Sequence, residues 1–267
     1  MREIGLLNGV CGVEKVFAIG DIHGNYELLE QLLQFWNPDE EQLVFLGDYI
    51  DRGPDSLKVL QTIMDLSEQY EIITLAGNHE QIFLSWLDKP EEVSEFYFNP
   101  KIGGADTVKS LYDVPHFSIV VDNFSVIEIA EAIRKKQSAV IKFLKQLRTF
   151  YQWDSYLFVH AGIDATVENF KETNKEDYFW IREDFFATPH LAKEIVVFGH
   201  TPTPLLNEDR SSNVWVSPCR KKIGIDGGGA IYEAGQLHGL LFSSQSKEIK
   251  IYSVAKNTDG KYSTILL

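Results

Sequence analysis

The chain has 267 residues, 44% hydrophobic and 24% charged, enough to bury a sizeable core and outside the composition of a disordered or fibrous chain. Asp and Glu outnumber Lys and Arg by 39 to 25, giving a formal charge of −14 that disfavours a nucleic-acid polymer or an anionic membrane as partner. Only Cys11 and Cys219 occur, so neither a disulfide framework nor a cysteine-rich zinc site is expected, and both thiols should be inert or reduced. The apolar stretch Leu6 to Val13 is too short to span a bilayer and lacks a basic leader, which makes a cytoplasmic location the expectation.

In chain order, the apolar run Val16 to Ile19 predicts a strand, and Leu28, Leu29, Leu32, Leu33 and Trp36 recur at helical spacing after it. The pattern repeats with Leu43 to Leu46 followed by Leu57, Leu60, Ile63 and Met64, and again with Ile72 to Leu75 followed by a helix through Leu87. Three strand-helix units predict a parallel or mixed sheet with its chemistry in the loops after the strands. From about residue 88 to 152 the pattern changes, with Gly103-Gly104, a predicted strand at Phe117 to Val121 and helical patterning over Ile127 to Leu147. This segment reads as an insertion or lid in a chain that is otherwise one domain over residues 1–267. Short apolar runs then follow at Tyr156 to Val159, Ile195 to Phe198, Val214 to Val216, Ile223 to Ile225, Leu237 to Phe242 and Ile249 to Val254. They predict a second sheet packed on the first.

The loops after the first three strands all carry donors. Gly20-Asp21-Ile22-His23-Gly24 sets a carboxylate and an imidazole two residues apart, which share a face in extended backbone. Gly47-Asp48-Tyr49-Ile50-Asp51-Arg52-Gly53 adds two carboxylates and a guanidinium, and Gly77-Asn78-His79-Glu80 adds an amide, an imidazole and an acid. Asp48 lies 27 residues after Asp21 and Asn78 thirty after Asp48. Singly, each motif is an ordinary turn; in order, after three strands, they suit strand ends converging on hard or borderline metal ions.

With these blocks the sequence resembles the metallophosphoesterases, and among them the phosphoprotein phosphatase branch, which includes serine/threonine phosphatases and bacterial diadenosine tetraphosphatases. His160-Ala161-Gly162, Gly199-His200 and Ile225-Asp226-Gly227-Gly228 extend the resemblance over most of the chain. It implies an α/β fold, a β-sandwich flanked by helices with a helical or irregular insertion, and a site at the loop edge. It also implies a metal-dependent phosphatase in which two divalent cations, manganese or iron with zinc, activate a bridging water. In that family pattern Asp21 and His23 hold one metal, Asp48 bridges, and Asn78, His160 and His200 hold the second. His79 takes the place of the general acid, Asp51 that of its orienting partner, and Arg52 and Arg182 with Asn78 those of phosphate-binding groups.

Gly199-His200-Thr201-Pro202 lacks the second histidine of the wider superfamily's Gly-His-x-His, which implies an open, water-filled position at the first metal. His-Ala-Gly in place of His-Gly-Gly is closer to bacterial and phage relatives. Gly227-Gly228-Gly229 lacks the Lys-Ser or Lys-Thr of a phosphate-binding loop, Arg134-Lys135-Lys136 reads as a solvated helix face, and His116, His190 and His238 take no role. Gly103-Gly104 with Thr107 and Tyr112 resembles a segment of bacterial relatives, and it reads equally as a shaper of the substrate side of the pocket or as a plain loop. The expected substrates are phosphomonoesters, including phosphoserine or phosphothreonine proteins; the alternative is a dinucleoside polyphosphate such as diadenosine tetraphosphate, and a third reading is a non-catalytic binding module. The acidic surface and the lack of a further basic cluster near the motifs favour the first.

Overall fold

The structure, a computed structural model, describes residues 13–256 and 260–266; Cys11 and the apolar stretch up to Gly12 lie outside the described residues. Strand β1 (Lys15–Ile19) turns Phe17 and Ile19 into one hydrophobic cluster and Val16 and Ala18 into another. Burial on both faces is why it reads as a continuous apolar run and not as an alternating one. After it come α1 (Tyr26–Leu33), β2 (Gln42–Phe45), α2 (Ser56–Gln69), β3 (Ile73–Thr74) and α3 (Asn78–Asp88), with the three strands parallel as predicted. Leu28, Leu29 and Leu32 of α1 and Val59, Leu60 and Ile63 of α2 close over Phe17 and Phe45. Burying each such side chain is worth roughly 1.5–3 kcal/mol.

The predicted segment 88–152 holds the helices α4 (Pro90–Tyr97), α5 (Gly104–Tyr112), α6 (Ser118–Val121), α7 (Val126–Lys136) and α8 (Ser138–Leu144), while its last residues, Phe150 to Gln152, belong to a strand of the second sheet. The predicted strand at Phe117 to Val121 is therefore corrected to a helical turn. Its backbone is satisfied locally, Val121 N and Asp122 N donating to Phe117 O and Ser118 O, and Val120 is buried in the apolar cluster that the helices share. The helical pattern through Leu147 breaks at Gln137, and α7 begins with a capping box in which Ser125 and Glu128 exchange backbone and side-chain hydrogen bonds.

The second sheet holds β4 (Phe150–Trp153), β5 (Tyr156–Val159), β6 (Ile195–Phe198), β7 (Trp215–Val216) and β8 (Lys222–Gly224) in the order β4-β5-β6-β8-β7. The last strands, β9 (Gln236–Ser243), β10 (Ser246–Ala255) and β11 (Lys261–Leu266), do not join it. They extend the first sheet, in the order β11-β10-β9-β1-β2-β3, because β9 takes the free edge of β1 antiparallel and is itself buried on both faces. The sheets meet through Val16, Ala18, Val44, Phe158, Val197 and Phe242. Tyr178 and Phe179 of α9 (Asp177–Trp180) and Phe185 of α10 (Glu183–Phe186) cover the outer face of the second sheet. The result is the expected β-sandwich flanked by helices. Among the described residues no helix is long and apolar enough to cross a membrane.

Candidate metal centre

The predicted site loops leave the carboxyl ends of strands, except that of Arg182, which lies between α9 and α10: β1 leads to Asp21 and His23, β2 to Asp48, Asp51 and Arg52, β3 to Asn78 and His79, β5 to His160, β6 to His200. Since β1, β2 and β3 are parallel in one sheet and β5, β6 and β8 in the other, the loops gather in two groups, and hydrogen bonds join them. His160 Nδ1 donates to Leu46 O at 2.9 Å, and the Asp21 carboxylate accepts His200 N–H at 2.9 and 3.1 Å. A Cβ at Gly199 would overlap that carboxylate, so the residue before His200 must be glycine for Asp21 to approach. His23, Asp48, Asp51, Arg52 and His200 all have positive φ between 47° and 70°, an expensive conformation that strand registers and hydrogen bonds on both sides must hold.

Asp48 is central. Its Oδ1 lies 3.4 Å from His160 Nε2, and its Oδ2 lies 3.5 Å from His23 Nε2 and 3.9 Å from His79 Nε2. The donor atoms of His23, Asp48 and His79 fall within 4.8 Å of one another, as do those of Asp48, His160 and His200, so Asp48 is common to both groups. Asn78 Oδ1 sits 3.0 Å from His160 Nε2 and 2.8 Å from His200 Nδ1. Asp21 enters neither group of three; it stands behind His200 on the Asp226 side. Arg52 reaches His23 Nε2 with its Nη1, and the more exposed Arg182 donates from Nη1 to Thr201 Oγ1 at 3.2 Å.

The donor chemistry fits divalent cations. Leu46 O and Ile50 O, which can only accept, fix the protons of His160 and His23 on Nδ1. The bare Nε2 of His160 then faces two oxygen lone pairs, from Asn78 and Asp48, with no proton to share among them. His200 Nε2 is buried without a partner. Burial, aided by neighbouring Arg and His groups, holds His23 and His200 well below the ordinary histidine range, leaving them neutral and able to ligate. Burial and the charges of Asp226 and Asp48 push Asp21 well above the carboxylate range, and burial pushes Asp226 up to about 6. A cation among them would reverse that repulsion.

His79 is different. Burial lowers it, but the Asp48 charge and the hydrogen bond to Asp51 outweigh burial and leave it above the ordinary value. Its Nδ1 is 2.7 Å from Asp51 Oδ2, which commits that nitrogen and leaves Nε2 toward Asp48. Two groups of the site have no assigned part in the sequence reading. Glu80 is buried and accepts from Asp48 N at 2.9 Å, Gly77 N at 2.8 Å and Tyr49 N at 2.8 Å, pinning the backbone of the second loop to the third. Asp226 is buried beside Asp21. Both lie inside the Gly-Asn-His-Glu and Ile-Asp-Gly-Gly blocks, whose sequence shows the carboxyl groups but not their contacts.

The donors gather at the loop edge of a two-sheet sandwich, where the groups sharing Asp48 could hold a metal ion. The chain belongs to the calcineurin-like phosphoesterase family, whose model matches residues 14–232. It is 26% identical over 150 residues to a symmetrical bis(5'-nucleosyl)-tetraphosphatase of Nitrosospira multiformis, covering 55% of this chain and 43% of the relative. It is also 40% identical over 77 residues to a candidate serine/threonine-protein phosphatase of Caenorhabditis elegans, covering 27% and 21%. The chain thus spans less than half the length of these curated relatives. A solved structure described as a candidate diadenosine tetraphosphatase superposes with a TM-score of 0.60 over 93% of this chain and 96% of that one, at 19% identity, a likeness of fold.

Proposed function

We propose that the chain is a metal-dependent phosphoric ester hydrolase. The observation that carries the proposal is the carboxylate of Asp48 set between the imidazole of His23 on one side and those of His160 and His200 on the other, with His79, paired to Asp51, beside it. Asp21, His23 and Asp48 would hold one divalent cation, and Asp48, Asn78, His160 and His200 a second; manganese is the ion proposed, with iron and zinc suiting the same donors. Such a pair supplies Lewis acidity, lowering the pKa of a water and polarising the phosphoryl oxygens. Arg52 and Arg182 orient the phosphate by charged hydrogen bonds, joined by the Asn78 amide. Hydrolysis replaces the ester P–O bond with one to the water oxygen, and the leaving oxygen needs a proton. His79 delivers it from Nε2, while Asp51 keeps Nδ1–H in place and stabilises the imidazolium. Residues 88–152 are proposed as an insertion in a single unit, supported by Tyr97, Val108 and Ile129 sharing one apolar cluster with Phe83 and Trp86 of α3.

The substrates proposed first are phosphomonoesters, including phosphoserine or phosphothreonine proteins. The formal charge of −14 and the lack of a further basic cluster beside the motifs oppose a long polyphosphate. The second reading, a dinucleoside polyphosphate hydrolase, is favoured by the relative of Nitrosospira multiformis. Metal-defined protein offered phosphopeptides, aryl phosphate and diadenosine tetraphosphate side by side tests both. A dinucleotide turned over with a hundredfold higher kcat/KM than any monoester would make the second reading the right one; turnover of none would remove the hydrolase.

A further inference from the structure

Asp51 is wholly buried and has a second oxygen that the His79 pairing leaves over. That oxygen, Oδ1, accepts from Thr107 Oγ1 at 2.6 Å and from Tyr97 O–H at 3.1 Å. Thr107 Oγ1 also accepts the Asp51 backbone N–H at 2.8 Å and sits 3.1 Å from Ser56 Oγ. One hydroxyl therefore grips both the main chain and the side chain of Asp51. Thr107 and Tyr97 belong to α5 and α4, some fifty residues further along the chain, and both are fully buried.

The approach is made possible by Gly103-Gly104. Gly103 has φ +84° and its carbonyl accepts Arg52 N–H at 3.3 Å; a Cβ there would lie 2.5 Å from that same nitrogen. A Cβ at Gly104 would lie 2.5 Å from the Tyr97 ring. Tyr112, in contrast, is turned away and donates to Ile129 O, inside the insertion.

We propose that the insertion carries the positioning residue of the proton-delivering pair: Thr107, assisted by Tyr97, locks the Asp51 carboxylate in the rotamer that presents Oδ2 alone to His79. The inference rests on the acid role proposed for His79. A free carboxylate could rotate or share both oxygens, and the imidazole would follow it away from the leaving oxygen. With Oδ1 saturated by two side-chain donors, and the main chain of Asp51 held by the same hydroxyl, neither motion is open. Thr107 touches no substrate; it acts through Asp51.

The test compares 4-nitrophenyl phosphate, whose phenol leaves with little help, with phosphoserine, whose alkoxide needs its proton. Metal-loaded wild type, Thr107→Val, Thr107→Ser, Tyr97→Phe and His79→Asn are assayed on both, with bound metal and thermal midpoint recorded. Thr107→Val keeps shape and loses the hydroxyl, so kcat on phosphoserine should fall about tenfold, the worth of one hydrogen bond, with KM and the nitrophenyl rate nearly unchanged. Thr107→Ser should restore it. Tyr97→Phe should give the same pattern more weakly, and it carries the test if Thr107→Val does not fold. Equal losses on the two substrates, or no loss on either in a folded variant, would overturn the positioning role. If His79→Asn itself shows no preference between the leaving groups, the acid reading fails and the inference with it, an outcome that the His79 variant alone reveals.

Discussion

The donor-bearing loops at the strand ends and the helices α4 and α5 meet at the same place but hold it differently. His23, His160 and His200 are set by loops at strand ends and oriented by backbone carbonyls or the Asn78 amide, with Gly199 and Gly77 leaving room for the Asp21 and Asp48 carboxylates. Asp51 has its side chain fastened by hydroxyls from helices packed on α2 and α3. Main-chain orientation is shared among many strand contacts, so a change in the ligand set removes a charge or a donor outright. Side-chain orientation rests on one or two groups and can be weakened step by step. The first region should fail all at once, and the second in proportion to how much the leaving group needs its proton.

The ligand side should break completely. Chelation should abolish hydrolysis of an aryl phosphate, and manganese should restore it, as followed by activity alongside elemental analysis. Asp48→Asn should be among the most damaging single changes, lowering kcat by at least about a thousandfold and reducing bound metal, because Asp48 faces His23, His79 and His160 at once. A variant with full stoichiometry and full turnover would take Asp48 out of the shared position. His79→Asn comes next, with kcat down by roughly a hundred- to ten-thousand-fold on an alkyl phosphate and less on a nitrophenyl ester, with KM little changed. A penalty equal on both would place His79 with the ligands.

Arg182 sharpens the boundary between the regions. Its guanidinium bonds Thr201 and lies near the acids of the site without touching the imidazoles. Arg182→Ala should therefore raise KM about tenfold, the order expected for a lost charged hydrogen bond, and leave metal content intact. Inhibition by inorganic phosphate should weaken to the same extent. A fall in kcat at constant KM would contradict a ground-state phosphate contact.

How much of this was legible beforehand follows from the same contrast. The strand-loop-helix units, the loops rich in donor side chains and the two-sheet form could be read because apolar runs and donor types occur locally and in order, as at Asp21, Asp48 and Asn78. The allocation of β9 to the first sheet could not, since nothing in Leu237 to Phe242 says which edge is free. The turn at Phe117 to Val121 carries a β-branched run that favours a strand in isolation, and its local i to i+4 hydrogen bonds with the burial of Val120 decide for a helical turn. Thr107 and Tyr97 could not be joined to Asp51 for a related reason: their hydroxyls look ordinary until packing brings them within reach. Positive φ at His23, Asp48 and His200 likewise depends on tertiary holding, because each of these residue types is commonly found elsewhere in backbone space.

His238 offers a last separation of stability from turnover, with no large effect expected on the latter. It is fully buried on β9, its Nε2–H donating to Ser212 O at 2.6 Å and its Nδ1 accepting from the Ser253 hydroxyl at 2.8 Å. It is packed under Gly227, next to Asp226, where a Cβ would come within 2.7 Å of its Nε2. Burial, only partly offset by the Ser212 carbonyl, lowers it to about 4, against about 6.5 in an unfolded chain. Between those values the unfolded chain binds a proton that the folded chain refuses. Stability from this residue is therefore complete above about pH 6.5 and lost as pH falls toward 4, by roughly 3 kcal/mol in all. Urea unfolding of wild type and His238→Gln across that range should show the variant losing less stability on acidification, so that the gap between the two narrows as pH falls. Parallel curves would mean that His238 is protonated equally in both states and that its two hydrogen bonds do not hold it neutral.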